Sequence, residues 1–465
     1  MQPDERSGIL PRMSSLPSAP GRLPVVGHFA SYARDSFAFL EAAAKLGPMV
    51  RVDFPGLRAV LLNEPALVEE VFVTHNKRFS KDQFARDLQR VLGTGLLTSE
   101  GDFWRRQRRL AQPAFHKERI AGYGGAMVDA AEAAVAGLAH GGEVDLHDAL
   151  ARLTLQIVGK TLFGVDTGAL ADDIGRSLEA VLARYVDPIA MGVPHWDKLP
   201  TPLNRRFSAG VQRLDALMRG LIRSHRAGET GDGKDLLSML LAARDEDGSG
   251  MSDDQLRDEA LTLILAGHET TAIALTFTFY LLAKHPAARA RLEAELDQVL
   301  GGRSPTYADL PRLGYVERVF KEAMRLYPPA WSTGREAIED TEVGGVPVAR
   351  GTQLWVVQWN LHRDPRFHDD PLRFDPDRWG DARTAGLHRF AYAPFGGGPR
   401  LCIGQGFAMM EGVLLVATLA QRARFSLPPG HRLELVPSVT LRPKGGLPVR
   451  VEQRAPPPRA FAAEA

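Results

Sequence analysis

One cysteine, Cys402, is the whole thiol content of 465 residues. An intrachain disulfide is therefore excluded, and so is a zinc site of the usual multi-cysteine form. An excess of charge is missing too: 57 Lys and Arg stand against 56 Asp and Glu, a net charge of +1. Nothing global asks for nucleic acid or an anionic membrane, so electrostatic docking must rest on a local patch. The opening MQPDERSGILPRMSSLPSAPGRLP lacks the apolar run of a signal peptide or membrane anchor. No Gly-x-Gly-x-x-Gly follows a strand and opens a helix, so neither a flavin nor a nicotinamide fingerprint is present. Internal repeats and charged linkers are lacking as well.

What is present is an ordinary globular composition, 44% hydrophobic and 24% charged. Residues 1–19 read as a disordered or surface-wrapping lead-in. Residues 20–453 read as one mainly α domain with a small β portion, and 454–465 as a flexible tail. Segments 49–53 and 58–62 read as strands about a Pro55-Gly56 turn. Pro65 starts a helix through Phe72, and 103–119 read as one basic helix. Much of 126–228 is Ala/Leu-rich and helical. It is interrupted by DPIAMGVPHWDKLPTP at 187–202, a loop long enough to be a lid.

Residues 260–283 are apolar enough to suggest a membrane span. His268, Glu269, Thr270 and Thr271 sit in the middle, where a carboxylate costs about 2.5–3.5 kcal/mol, so a buried central helix is the better reading. Ser252 is its N-cap, Gln255 completes a capping box and Pro286 stops it. About 33 residues at 1.5 Å each give roughly 50 Å. Helices follow near 287–300 and 315–327, then strand-like pieces over 334–357, a last helix at 404–424 and further β signals.

The chemistry concentrates in Phe395-Gly-Gly-Gly-Pro-Arg-Leu-Cys402-Ile-Gly404. A lone cysteine is more often a small buried hydrophobe. Here three glycines and a proline let the backbone turn tightly and bring N–H groups to the sulfur. A helix begins just after Cys402, and its positive end stabilises a thiolate, as does Arg400 two residues away. A soft thiolate suits a transition metal, and iron held otherwise by a porphyrin needs only one cysteine. Such a ligand favours O–O cleavage.

Two further groupings have a bland reading beside a functional one. Ala266-Gly-His-Glu-Thr-Thr271 is either a polar helix contact, with Thr hydroxyls bonding back to i−4 carbonyls, or a positioned acid beside an alcohol. Glu322-Ala-Met-Arg325 puts opposite charges on one helix face. Exposed, that pair is worth a few tenths of a kcal/mol.

Filled by Phe395, Gly398, Arg400, Cys402 and Gly404, the pattern Phe-x-x-Gly-x-Arg-x-Cys-x-Gly resembles the haem-binding loop of cytochromes P-450. The likeness runs from Pro20 to about Val451. It implies the cytochrome P-450 fold, haem b as cofactor and Cys402 as the metal ligand. It implies an acid–alcohol pair, Glu269 and Thr270, that passes protons to O2, with room left by Ala266 and Gly267. His268 is then structural, or at most part of a water path. Glu322 and Arg325, with Arg378 from Phe374-Asp-Pro-Asp-Arg-Trp379, would form a buried brace. Many relatives carry Glu-Arg where this chain has Asp377-Arg378, so the role passes to Arg378 alone.

The resemblance places Leu96, Leu97, Trp104, Arg108, Ala266, Thr270, Arg335, Pro394, Phe395, Gly396, Arg400, Ile403, Gly404 and Ala408 at the haem. Arg108, Arg335, Arg400 and the Trp104 indole would serve its propionates. It places Phe84, Leu88, Leu97, Leu263, Ala266, Ala330, Trp331 and Val439 at an apolar substrate pocket, suited to a fatty acid, terpenoid or polyketide. A plain core role serves each of these equally well. Arg105, Arg106 and Arg109 are either a solvated face or a patch for an acidic redox protein.

The activity implied is hydroxylation or epoxidation with O2 in the cytoplasm, by a monomer. Electrons would come from a ferredoxin or flavodoxin and an NAD(P)H-dependent reductase. A reductase-independent peroxygenase or isomerase is an alternative, against which Glu269-Thr270 argues. A non-catalytic haem-binding protein is another.

Overall fold

The computed structural model describes residues 15–138, 142–165, 168–187, 196–231, 233 and 235–454. Residues 188–195, half of the expected lid loop at 187–202, and the terminal segments 1–14 and 455–465 lie outside the described residues. The chain divides into two compact units. The first comprises residues 1–87, 332–371 and 387–402, and the second 88–331, 372–386 and 403–465.

The first unit is built on a five-stranded sheet. Met49–Phe54 and Leu57–Leu62 form an antiparallel hairpin in register from Met49↔Leu62 to Phe54↔Leu57. Gly56 takes φ +71 in its turn, where a side chain is disfavoured. Leu57–Leu62 then pairs in parallel with Gln353–Val356, which pairs antiparallel with Thr333–Ala337, which in turn pairs with Phe79–Lys81. Pro17 and Ala19 exchange backbone bonds with Arg51, so the end of the lead-in extends the hairpin edge. Val60, Leu62, Phe72, Leu354 and Phe390 share a buried cluster with the small hairpin Thr341–Val343/Val346–Val348. The helix expected through Phe72 is α only over Pro65–Glu69 and widens to a π-type turn over Glu70–Thr74.

The second unit is helical and centred on Asp253–Lys284. Ser252 and Gln255 make the capping box, Asp253 and Asp254 complement the N-terminal dipole, and Pro286 opens the next helix. Its 32 residues span about 48 Å. Apolar residues all round this helix are covered by helices Leu146–Phe163, Pro202–Arg226, Gly314–Leu326 and Gln405–Arg422. Among the described residues it is the one helix long and apolar enough to cross a membrane, and most of that apolar stretch is buried.

The single basic helix expected over 103–119 is two. Gly101–Ala111 ends in a 3₁₀ turn, Gln112–Phe115, and Lys117–Gly137 begins anew after extended His116. Pro113 has no N–H to continue the ladder, so the axis is reset there. The last helix ends at Arg422, where the chain becomes strand Ala423–Ser426, paired with Pro448–Gln453 and through it with Glu143–Asp145. Leu435–Pro437 and Leu441–Pro443 form a separate hairpin.

Candidate active site

In the first unit the cysteine loop is fixed by its own backbone. The Cys402 N–H donates to the Phe395 carbonyl at 3.0 Å, Leu401 N–H to Gly398 at 3.1 Å, and Gly396 N–H to Ala393 at 3.0 Å. Gly396 and Gly398 take φ +73 and +66. A Cβ on Gly398 would lie 2.0 Å from the Phe72 carbonyl oxygen, and one on Gly397 2.4 Å from the Phe390 ring. Glycine is thus demanded by close approach as well as by φ. The loop delivers Cys402 exposed and outside any disulfide, three residues before helix Gln405–Arg422 begins. Pro394 and Phe395 are only partly covered, as are Ile403, Gly404 and Ala408 of the second unit. Arg335, on strand Thr333–Ala337, is buried over the Phe72 ring at 4.4 Å and donates to the Gly334 carbonyl. Arg400 is half-buried.

In the second unit the middle of the central helix has one open stripe. Leu263 and Leu265 before it and Thr271 and Ala272 after it are buried, whereas Ala266 is exposed and Gly267 and Thr270 are half-exposed. The Thr270 hydroxyl donates back to the Ala266 carbonyl at 2.6 Å, the local bond that competes with any outward role. Its oxygen remains able to accept. Glu269 points the other way, buried, accepting from Thr440 Oγ1 and Arg442 Nε at 2.5 Å each. His268 is buried and held neutral: burial pushes it down to about 4. Its carbonyl accepts from Thr154 at 2.9 Å.

Glu322 and Arg325 are completely buried and bond through Arg325 Nε and Nη2 at 2.8 Å each. Arg378 Nε reaches Glu322 at 3.3 Å, and the Asp375 N–H and the Trp379 indole donate at 3.0 and 3.1 Å. Arg325 also donates to the Arg373 carbonyl at 3.1 Å. Every lone-pair direction of the carboxylate is used, which is what makes a buried charge tolerable.

Trp104 is buried and Arg108, one turn on, is half-buried. Both border a cleft of about 450 Å³ with Gln112, Pro113 and His116. The neighbouring arginines have internal partners. Arg106 donates to Asp245 at 2.7 Å and to Ser249 at 2.8 Å, Arg109 to Asp245 at 2.5 Å, and Arg105 pairs with Asp102. The proposed docking run is therefore partly neutralised within the chain. Of the pocket candidates in this unit, Leu88, Leu263 and Trp331 are buried, as is the haem candidate Leu96, while Leu97, Ala330 and Val439 are partly open. Phe84, in the first unit, is half-exposed.

Several site residues carried no local sequence signal. Arg442 and Thr440 lie more than 170 positions from Glu269. Glu259, two turns before Ala266, accepts the Leu96 N–H at 3.0 Å, and burial raises its carboxyl to about 7. Glu411 is fully buried beside Thr271, and burial raises it to about 8 against the opposing effect of the Thr271 hydroxyl.

The group that the cysteine loop implies is a flat apolar macrocycle with an anionic rim. In the first unit the exposed cysteine, partly covered Phe395 and half-buried Arg400 are donor and surface of the required kind, and in the second, taken by itself, so are partly covered Ile403 and half-buried Arg108. The open Ala266–Thr270 stripe on an otherwise buried helix is apolar surface left for a ligand. The residues fit haem.

Residues 17–447 match the cytochrome P450 family, and the chain belongs to it. It is an oxidoreductase of the monooxygenase class. Cyclooctatin synthase of Streptomyces melanosporofaciens is 39% identical over 91% of this chain and 93% of its own length. Cyclooctat-9-en-7-ol 5-monooxygenase of the same organism is 37% identical, covering 92% and 95%. Pentalenene oxygenase of Streptomyces avermitilis is 35% identical, covering 94% and 98%. Among solved structures, the haem domain of cytochrome P450DA superposes with a TM-score of 0.84 at 32% identity, over 96% of this chain and 99% of that one.

Proposed function

We propose that this monooxygenase binds haem b through the Cys402 thiolate and oxidises a terpenoid, by hydroxylation or epoxidation. The observation that carries the reading is the Cys402 loop, whose backbone bonds and sterically required glycines fix one exposed sulfur at the start of a helix. Haem, when bound, supplies O2 activation. The chain's own residues do the rest: Trp104, Arg108, Arg335 and Arg400 hold its propionates, and Glu322, Arg325 and Arg378 brace the fold. Glu269 and Thr270 hold and move protons. Leu97, Leu263, Ala266 and Val439 present apolar surface to the substrate. The terpenoid class is supported by the names of the three relatives above.

Electrons come in this reading from a ferredoxin or flavodoxin and its NAD(P)H-dependent reductase. The reducing cytoplasm keeps Cys402 from being oxidised. The test is carbon monoxide difference spectroscopy of the reduced, haem-loaded protein. A thiolate-type band is expected in the wild type and lost in Cys402→Ser. A wild type that loads haem without that band overturns the proposal.

A further inference from the structure

Glu269 is held more firmly than a mobile acid–base group requires. Its Oε1 accepts from Thr440 Oγ1 and Arg442 Nε, and Arg442 Nη2 closes an ion pair on the same oxygen. Oε2 is buried and has no hydrogen-bond partner. Few charges surround this carboxylate. Its own helix brings His268, and helix Leu146–Phe163 brings His147, with Asp145 and Asp148 beside it. Burial lowers both histidines below their ordinary value, and Arg442 lowers them further. Among the described residues Arg442 is thus the positive charge that faces Glu269 at neutral pH.

The two partners share one small element. Arg442 lies on the hairpin Leu435–Pro437/Leu441–Pro443, opposite Val436, with its side chain 26% exposed. Thr440 sits in the turn, and Val439, a pocket candidate, immediately precedes it. The turn is tied to the segment that carries Ala330 and Trp331. The Leu441 N–H donates to the Pro329 carbonyl at 3.0 Å and the Trp331 indole to the Ser438 carbonyl at 2.8 Å. A displacement at Val439 or at the Trp331–Ser438 bond is therefore transmitted over one to four residues to the two groups that hold Glu269.

We propose that Arg442 and Thr440 are positioning residues that latch Glu269, and that the hairpin bearing Val439 decides whether the latch is closed. This rests on the reading of Glu269 as the group that moves protons. Closed, the latch keeps the carboxylate paired and turned from the open stripe of its helix. Arg442 reaches solvent, so it can leave the pair for water when the hairpin shifts. Glu269 is then a buried carboxylate without a counter-charge, and desolvation drives it to take up a proton. Proton delivery is in this way tied to occupation of the surface around Val439.

The test uses haem-loaded protein. Infrared difference spectra of wild type, Arg442→Met, Arg442→Lys and Thr440→Val are recorded, with Glu269→Gln assigning the band. Arg442→Met is expected to show a protonated-carboxyl band absent from wild type and from the Arg442→Met/Glu269→Gln double variant. Arg442→Lys keeps the wild-type signal. Driven by NADPH through a surrogate ferredoxin and its reductase, without substrate, Arg442→Met consumes O2 about tenfold faster. Thr440→Val does so about threefold faster. Should Arg442→Met fail to fold, Thr440→Val carries the test through the oxygen rate.

Trp331→Phe, which deletes only the indole donor, shifts the rate the same way by a smaller factor. No shift there removes the hairpin from the proposal. Unchanged bands and rates in every Arg442 and Thr440 variant overturn the latch. A Glu269→Gln protein whose oxygen consumption has the wild-type sensitivity to D2O overturns instead the underlying reading of Glu269.

Discussion

Glu322 and Glu269 are both buried helical carboxylates that face arginine, and they are treated differently. Glu322 is wrapped by Arg325, Arg378, the Trp379 indole and the Asp375 N–H, and Arg325 is as inaccessible to solvent as Glu322 itself. Glu269 has one oxygen doubly engaged and the other unpartnered, and its arginine reaches water. A fully satisfied network has no alternative arrangement of comparable energy, so it braces. A half-satisfied one has somewhere to go. On the function proposed above, the contrast separates a scaffold carboxylate from a working one by hydrogen bonding and burial alone.

Breaking the scaffold should have the largest effect. Glu322→Ala strands two buried arginines, and loss of about 3–5 kcal/mol is expected, seen as a lower denaturation midpoint and poor haem loading. A variant of wild-type stability would refute the bracing role. Glu411 supplies a third kind of buried carboxylate, one with no cation paired to it among the described residues. Its folded-state pKa, about 8, lies above its unfolded value. Its contribution is therefore fully present below about pH 4.5 and is lost as pH rises through about 8. Glu411→Gln should remove that decline and stabilise the protein on the order of 2 kcal/mol at pH 9, with little change at pH 4. Parallel pH profiles for the two proteins would show that Glu411 ionises freely.

Smaller effects lie on the working side of the comparison. Thr270→Ala should leave haem and ligand binding intact yet release more of the reducing equivalents as peroxide, about tenfold. Unchanged coupling would leave the hydroxyl with its bond to Ala266 as its only task. Least of all, Arg105→Glu should leave stability almost unchanged. It should slow reduction by an acidic ferredoxin a few-fold at low salt and not at high salt. Equal rates at both would mean that the arginine run serves only Asp102 and Asp245.

What could be read from the sequence was what is local in it. The cysteine loop, the capping box at Ser252, the Glu322–Arg325 spacing and the hairpin at Pro55-Gly56 are each local, the longest of them spanning 49–62, so pattern and geometry coincide. The break at Pro113 was also local but was masked by basic residues recurring on both sides of it, Arg105–Arg109 and His116–Arg119. The partners of Glu269, Arg106 and Arg109 were out of reach because they come from segments more than 130 positions away. Burial was harder still: nothing in Ala-Leu-Thr-Leu-Ile or Met-Met-Glu-Gly announces that Glu259 and Glu411 lose their water.

Gly398 sets a limit on how this protein can be altered. With the Phe72 carbonyl already occupying the space of a side chain, saturation libraries across 396–400 should return a single amino acid at that position. Pro399 and Leu401, whose side chains face outward, are where natural drift or an engineer has latitude to retune the thiolate's surroundings.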